Sequence, residues 1–409
     1  MPICETLLEC PKCVPINTNI QGRDIKFIEN YEQGEDVMTS GKLTTISQVF
    51  TRKYKGPMTS LKAMGCLELS VTPEHPIPIT QRRKQTAAYL RAWRRGEKHA
   101  LYAPTDVILK SARDIQIGDF LVLPKLKQIT YDINDELCYL YGLYVAEGSS
   151  CTSPRKHGNK GEVSFSFGKH ETQLIETTKQ LIYKFFDKEA RTTNAKTATV
   201  VQFDSVAIAK TLKKQFGHGA CNKKIPEFLM FSSKNNTKSF LKGYFDGDGN
   251  YSPKRRDHRA STCSPTLLIQ LQKLLTKLDI FAPIGLIRKS GTDIIQGRIV
   301  KLHNQYGIRI SAANNLFRTT TISRHHRQFL EDPDTFYVPV RKKKEYQYNE
   351  NVYNFQTADN YYEIQNILVH NCGAQHVAPG FKDEKAGVKI RERKRKRNIE
   401  QLKAQYRLP

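Results

Sequence analysis

The 409-residue chain is short of acids, with 40 Asp and Glu against 65 Lys and Arg, a formal net charge of +25. That imbalance points to a polyanionic partner, nucleic acid first, with a generically basic protein as the plain alternative. A disulfide framework is also missing. Nine cysteines scattered through a chain this long suit a reducing interior. No apolar run approaches the ~20 residues that span a bilayer. The opening MPICETLLECPKC carries two glutamates and no long apolar core, which excludes a signal peptide. A soluble, cytoplasmic protein is expected. The length is too great for one ordinary core, so two or three domains are expected.

Texture changes twice along the chain. From residue 13 to about 125, short β-branched runs such as TTISQVF, CLELSV and FLVLP, broken by Gly, Pro and Asn, predict an all-β region. A basic stretch at 81–99, QRRKQTAAYLRAWRRGEKH, reads as a helical insert, and residues 82–95 are candidates for DNA contacts. Between about 131 and 335, helical patterns such as HETQLIETTKQLIYKFF and SPTLLIQLQKLLTKLDI alternate with strands such as EVSFSFG and TATVVQFD. After about 350 the short strands return in VYNFQT and YYEIQNILV, followed by a basic helix candidate, KIRERKRKRNIEQLKAQYRL. That tail is either a solvated face or a phosphate-binding one. A split β-rich unit with an α/β unit inserted at a loop tip is the simplest reading.

One internal repeat stands out: LYGLYVAEG (140–148) against LKGYFDGDG (241–249). Small residues recur four positions apart, Gly142 with Ala146 and Gly243 with Gly247, giving each helix a flat strip on one face. A helical glycine costs about 1 kcal/mol relative to alanine, and close packing of the two strips would offset it. Each strip ends on an acid, Glu147 and Asp248. The acids are either solvated helix ends or paired oxygen ligands for a shared Mg²⁺, suited to in-line attack on phosphodiesters. A carboxylate at a helix C-terminus opposes the macrodipole, which favours the second.

The repeats resemble the paired helices of LAGLIDADG (DOD-type) homing endonucleases, with glutamate replacing aspartate in the first. KKIPEFL (223–229) resembles the lysine-containing block before the second helix, and LLIQLQKLLTKLDIFAPI (267–284) the helical block after it. The resemblance implies a pseudo-twofold nuclease in one chain, two packed helices over saddle-like antiparallel sheets. It would act as a monomer, cut both strands of a long DNA homing site, and use Mg²⁺ held by Glu147 and Asp248. Lys224 is the matching basic residue, with Lys223 adjacent. The acids are 248 − 147 = 101 positions apart, as in the two-motif form.

The flanking segments resemble an intein, the all-β Hint splicing fold. CVPINTNIQGRDIKFIENYEQGEDVMTSG (13–41) resembles the N-terminal block, SVTPEHPI (70–77) the Thr-x-x-His block, and DIQIGDFLVLP (114–124) the last block before an inserted nuclease. VYNFQTADNYYEIQNILVHNC (352–372) resembles the paired C-terminal blocks. The implied organisation is an N-extein at 1–12, a Hint domain in two parts at 13–130 and 336–371, the endonuclease at 131–335, and a C-extein at 372–409. Cys13 would attack the Lys12 carbonyl to give a thioester, the thiolate being a strong nucleophile near neutral pH. His75 would protonate the departing amide nitrogen and Thr72 hydrogen-bond the scissile peptide. Cys372 would take over the upstream segment, and Asn371 would cyclise with help from His370. No cofactor is implied for splicing. Asn354 and Tyr361 stand at about the positions where Asp and His are frequent; an Asn cannot act as a charged acid.

Excision of 13–371 would join Lys12 to Cys372, leaving 12 + 38 = 50 residues with the junction C-P-K-C-G. Cys10 and Cys372 then form a Cys-x-x-Cys knuckle, which is either a plain loop or half of a zinc site completed by Cys4 and His376. A freestanding nuclease or maturase, or an intein whose nuclease is inactive, are the competing readings. The first leaves Cys13, the Thr72-x-x-His75 pair and His370-Asn371-Cys372 without purpose.

Overall fold

A computed structural model describes residues 12–84, 102–155, 158–295, 297–311, 316 and 328–371, all within one compact unit that ends at Asn371. Its β-rich part is built from both flanks of the chain. The strand Lys42–Ala63 pairs antiparallel with Thr335–Thr357 along most of its length, from Ala63 opposite Val340 to Ile46 opposite Thr357. The Thr335 end of the latter also pairs with Phe120–Pro124, and Val14–Pro15 pairs with Val352–Tyr353. Val14, Ile20, Leu61, Ile77, Leu121, Val338, Phe355, Tyr362 and Val369 share one core. Segments some 300 residues apart in sequence therefore make a single sheet system. Alternation along the strands explains which side chains face it.

Residues 135–311 form two copies of one motif. In the first, the helix Asp135–Glu147 leads into a four-stranded antiparallel sheet of spatial order 148–155, 158–168, 198–204, 191–194. In the second, the helix Lys234–Asp248 leads into 250–252, 257–262, 305–311, 284–288 in the same order. Each helix begins on a side-chain cap: Asn134 accepts from the Glu136 and Leu137 N–H groups, and Ser233 from that of Asn236. Such caps satisfy amides that the helix itself leaves open. The helix Thr172–Phe186 follows the first hairpin, and Pro265–Lys277, capped by Ser264, follows the second.

Pro265–Lys277 is a wedge between the two parts of the molecule. Every residue from Leu267 to Lys277 is buried. Its leucines belong to the helical core, while Phe281 just beyond it packs in the β-rich core. Its polar side chains reach across. Gln272 donates to the Gly65 and Ala282 carbonyls, and Lys273 pairs with Glu363 with neither side chain exposed. The Asn366 carboxamide donates to Ile269 O and Gln272 Oε1. Glu363 and Asn366 lie on the last hairpin, Tyr361–Ile364 with Ile367–His370, whose turn has Gln365 and Asn366 at positive φ (49° and 71°).

One local expectation is corrected. Residues 82–84, read as the start of a basic helix, are an edge strand pairing with Tyr102–Pro104, where a helix cannot satisfy the same ladder. The rest of that stretch, 85–101, and the basic tail lie outside the described residues.

Candidate functional sites

The two motif helices meet along their glycine strips. A Cβ placed on Gly142 would lie 2.1 Å from the Phe240 carbonyl oxygen, and one on Gly243 2.1 Å from that of Tyr139. A Cβ on Gly247 would reach 2.6 Å from the Ala146 Cβ and 3.1 Å from the Glu147 Cγ. The backbones approach too closely for any larger residue. Each acid is the last helical residue, and the next residue, Gly148 or Gly249, is already extended (φ −82° and −83°). The two carboxylates thus sit at twin helix-to-strand corners, brought together by the crossing.

Their electrostatics reflect that closeness. The Asp248 carboxyl is pushed up to about 7, by desolvation among the packed helix ends and by the Glu147 charge. Asp248 still presents surface to solvent, so the like charge is the firmer cause. Glu147 is raised too, by desolvation and by Glu171. The basic group here is Lys223. Its Nζ donates to the Val145 and Ala146 carbonyls at 2.6 and 3.0 Å, and burial lowers its pKa against the pull of Asp248 and Glu147. Lys224, which the sequence pairing favoured, instead bonds to Asp24 in the β-rich part. Successive residues in this extended stretch point to opposite sides, so only one of the two lysines can face the acids. Among the described residues no group of three or more His, Cys, Asp or Glu could hold a metal. Two carboxylates fit Mg²⁺, which keeps several waters and takes one or two protein oxygens.

The second site lies in the β-rich part, where the two ends of residues 12–371 meet. The peptide bond between Lys12 and Cys13 is held from both sides. Its N–H donates to Thr72 Oγ1 at 2.8 Å, and its carbonyl accepts from Asn354 Nδ2 at 2.5 Å. The Cys13 carbonyl in turn accepts from the Thr72 N–H at 2.9 Å. Cys13 is 3% exposed, and Thr72, His75 and Asn354 are fully buried. Thr72 and His75 are joined by a tight turn, His75 N–H to Thr72 O at 3.0 Å, which the Ala112 and Arg113 amides brace from the next segment.

Three residues beyond Asn354 on the same strand, Thr357 accepts a hydrogen bond from Asn371 Nδ2 at 2.9 Å and donates to the Tyr361 carbonyl. The Asn371 N–H is held by Asn360 O at 2.8 Å. His370 Nδ1 lies 2.5 Å from the Asn371 carbonyl oxygen, and its ring meets the Tyr361 ring edge-on. The sites around Cys13 and Asn371 therefore address one strand about 10 Å apart at the usual rise per residue. Cys372, Cys4, Cys10 and His376 lie outside the described residues. Asn354 as a ligand of the Lys12 carbonyl, and Thr357, were not legible as site residues. A buried polar side chain in the strand VYNFQT was the one available signal.

The second repeat, with Asp248, resembles a known domain in sequence. Residues 235–315 match the LAGLIDADG-like domain. The chain is similar to an iron-sulfur cluster assembly SufBD family protein of Mycobacterium tuberculosis, 27% identical over 86% of this chain and 41% of that protein. It is also similar to the ATP-dependent DNA helicase Hel308 of Thermococcus kodakarensis, 25% identical over 91% of this chain and 36% of the helicase. The chain thus spans about two fifths of these relatives' length. Among solved structures, the I-DmoI homing endonuclease in complex with DNA and Ca aligns with a TM-score of 0.34 at 15% identity, covering 43% of this chain and 83% of that one. Among the described residues no helix is long and apolar enough to cross a membrane.

Proposed function

We propose that residues 13–371 are a self-splicing intein carrying a DNA-cleaving homing endonuclease, and that Lys12 becomes joined to Cys372. The observation that carries this reading is the meeting of Lys12, whose carbonyl is bonded by Asn354, and Asn371, bonded to Thr357, on one strand, although they are 371 − 12 = 359 positions apart. A freestanding nuclease has no use for that arrangement. Relatives named for iron-sulfur assembly and for DNA unwinding share no named activity, yet each matches most of this chain over a minor part of its own length. A segment inserted into unrelated proteins accounts for both.

In the reading's chemistry, Cys13 Sγ attacks the Lys12 carbonyl carbon. The C–N bond breaks, a thioester forms, and the thiol proton ends on the freed Cys13 amine. Thr72 fixes the plane of the peptide, and His75 supplies the proton path. Cys372 Sγ then displaces Cys13 Sγ from the thioester. Asn371 Nδ2 attacks its own carbonyl carbon, where a proton on His370 Nδ1 stabilises the developing oxyanion; the C–N bond to Cys372 breaks, and the proton lost from Nδ2 ends on the freed Cys372 amine. The freed Cys372 amine finally takes the acyl group from its own sulfur, leaving an ordinary peptide bond.

At the helix corners, Glu147 and Asp248 would hold Mg²⁺, which supplies Lewis-acid stabilisation of a phosphodiester under attack. Lys223 would hold the phosphate or the attacking water beside them. Exposed Arg288 and Arg309 on the second repeat's sheet, and Arg298 and Lys301 on the separate hairpin of Gly291–Ile295 with Arg298–Leu302, suit a DNA backbone, Arg309 facing out between buried Ile308 and Ile310. Intact mass of the freshly expressed chain under reducing conditions tests splicing: excised and ligated products are expected, and Asn371→Ala should block release. Incubating the excised protein with Mg²⁺ and host-gene DNA lacking the insert tests cleavage separately. No double-strand cut would remove the nuclease half of the proposal.

A further inference from the structure

Asn354 occupies a position where sequence alone reads a loss: a carboxamide in place of the acid frequent in inteins, unable to carry charge. Its surroundings argue for a gain. The carboxamide is fully buried and its orientation is fixed by two donors to Oδ1, the Tyr362 hydroxyl at 3.0 Å and the Phe355 N–H at 2.9 Å. With Oδ1 committed twice, Nδ2 has to face the other way, and there it meets the Lys12 carbonyl oxygen at 2.5 Å. A carboxylate in this place has no hydrogen to give and would set oxygen against oxygen. We infer that Asn354 is a catalytic residue of the first splicing step, the oxyanion donor for the Lys12 carbonyl, with Tyr362 as the residue that positions it.

The inference rests on the splicing reading above and deepens it. As Cys13 Sγ bonds to the Lys12 carbon, the carbonyl π-electrons move onto oxygen, and the amide N–H at 2.5 Å is already aimed at that charge. A preorganised donor from a buried side chain is worth more to the oxyanion than to the ground-state carbonyl. The oxyanion then collapses to the thioester as the C–N bond breaks, and the proton lost from the thiol is carried to the leaving nitrogen. No oxidant or co-reactant is needed. The peptide is gripped at its nitrogen by Thr72 and at its oxygen by Asn354, which holds the plane while the thiolate approaches the carbon.

Asn354→Asp is the decisive substitution, because a general acid or a charged coordinator at this position would be preserved by it while an oxyanion donor would not. The full chain is prepared with Cys372→Ala, which blocks transfer while leaving Asn371 in place. Two rates are then read from one precursor: dithiothreitol-induced cleavage after Lys12, which reports thioester formation, and spontaneous cleavage after Asn371. Asn354→Ala and Asn354→Asp are each expected to slow cleavage after Lys12 by about 100-fold or more, the usual cost of removing one oxyanion donor. Cleavage after Asn371 should stay within a few-fold, and Tyr362→Phe should show a smaller loss at Lys12 alone. Asn354→Asp that matches the parent rate overturns the inference. So do equal losses at both ends, which would make Asn354 a packing residue. If the parent itself shows no thiol-dependent cleavage, the splicing reading fails instead.

Discussion

Glu363→Ala is the most informative test of how the two parts of the molecule depend on each other. The Glu363 and Lys273 side chains are both 0% exposed, and their pair joins the last hairpin to the wedge helix. Lys273 Nζ has one other partner, the Pro124 carbonyl at 2.8 Å, and Glu363 also accepts from the Gly41 N–H at 3.0 Å. Burial already lowers the Lys273 pKa, with only Glu363 opposing it. Removing the carboxylate leaves an ammonium in the core with one neutral acceptor. Truncating one partner of such a pair costs about 3–5 kcal/mol. The double change Lys273→Met with Glu363→Leu removes the stranded charge and leaves only Pro124 O and Gly41 N–H unsatisfied, about 1–3 kcal/mol each. The double variant should therefore be less destabilised than the two single losses summed. Urea unfolding in a Cys13→Ala, Asn371→Ala background keeps the chain intact for the cycle. By contrast, the half-exposed Lys184–Glu136 pair should contribute under about 1 kcal/mol. A Glu363→Ala variant within 0.5 kcal/mol of its parent, on the scale of ~3 expected for a buried pair, would refute the reasoning.

Gly142→Val should separate the motif helices, since its Cβ alone would lie 2.1 Å from backbone; overpacking of about 1–3 kcal/mol or more and loss of DNA cutting are expected, read by unfolding and a cleavage assay. Lys223→Met should abolish DNA cleavage, whereas Lys224→Met, which breaks a half-exposed pair with Asp24, should leave it nearly intact; the reverse pattern would contradict the site. Asp248 titrates near 7 when folded against 3.8 unfolded, so the folded chain keeps a proton between about pH 4 and 7 that the unfolded chain has lost. This group therefore costs stability increasingly as pH rises through that window and fully above it. Asp248→Asn should gain melting temperature over the parent as pH rises from 4.5 to 7.5, and Mg²⁺ should stabilise the parent more at pH 8 than at pH 5.5. Equal Mg²⁺ effects at both pH values would count against paired carboxylates as the ligands.

The repeat was legible because small residues at four-residue spacing, followed by an acid, leave a local trace that survives any tertiary context. The caps Asn134, Ser233 and Ser264 are local signals of the same kind. What was hidden depends on partners far along the chain. The run SPTLLIQLQKLLTKLDI reads as a helix, and nothing local says that the polar Gln270, Gln272, Lys273 and Lys277 are to be buried. In the fold those side chains are buried and satisfied by Ile225, Gly65, Glu363 and Met230. The full lengths of Lys42–Ala63 and Thr335–Thr357, of which only TTISQVF and VYNFQT read as strands, were also hidden, because RKYKG and RKKKEYQYNEN break the hydrophobic alternation and their ladder partners are hundreds of residues away. Lys223 and Lys224 differ only in which side of the chain each faces, which composition cannot show. Asn354 looked like an absent acid because the group it serves, the Lys12 carbonyl, arrives from the other end of the chain.

The central claim is that residues 12 and 372 become neighbours. Glutamyl-endopeptidase digestion of the freshly expressed protein, followed by peptide sequencing across the junction, tests it most directly. Splicing produces a peptide in which CPK is followed by CGAQH, a sequence encoded nowhere in the chain, and Cys13→Ala or Asn371→Ala removes it. Recovery of CPKCVPI and VHNCGAQ alone, with no junction peptide after prolonged incubation under reducing conditions, would contradict it.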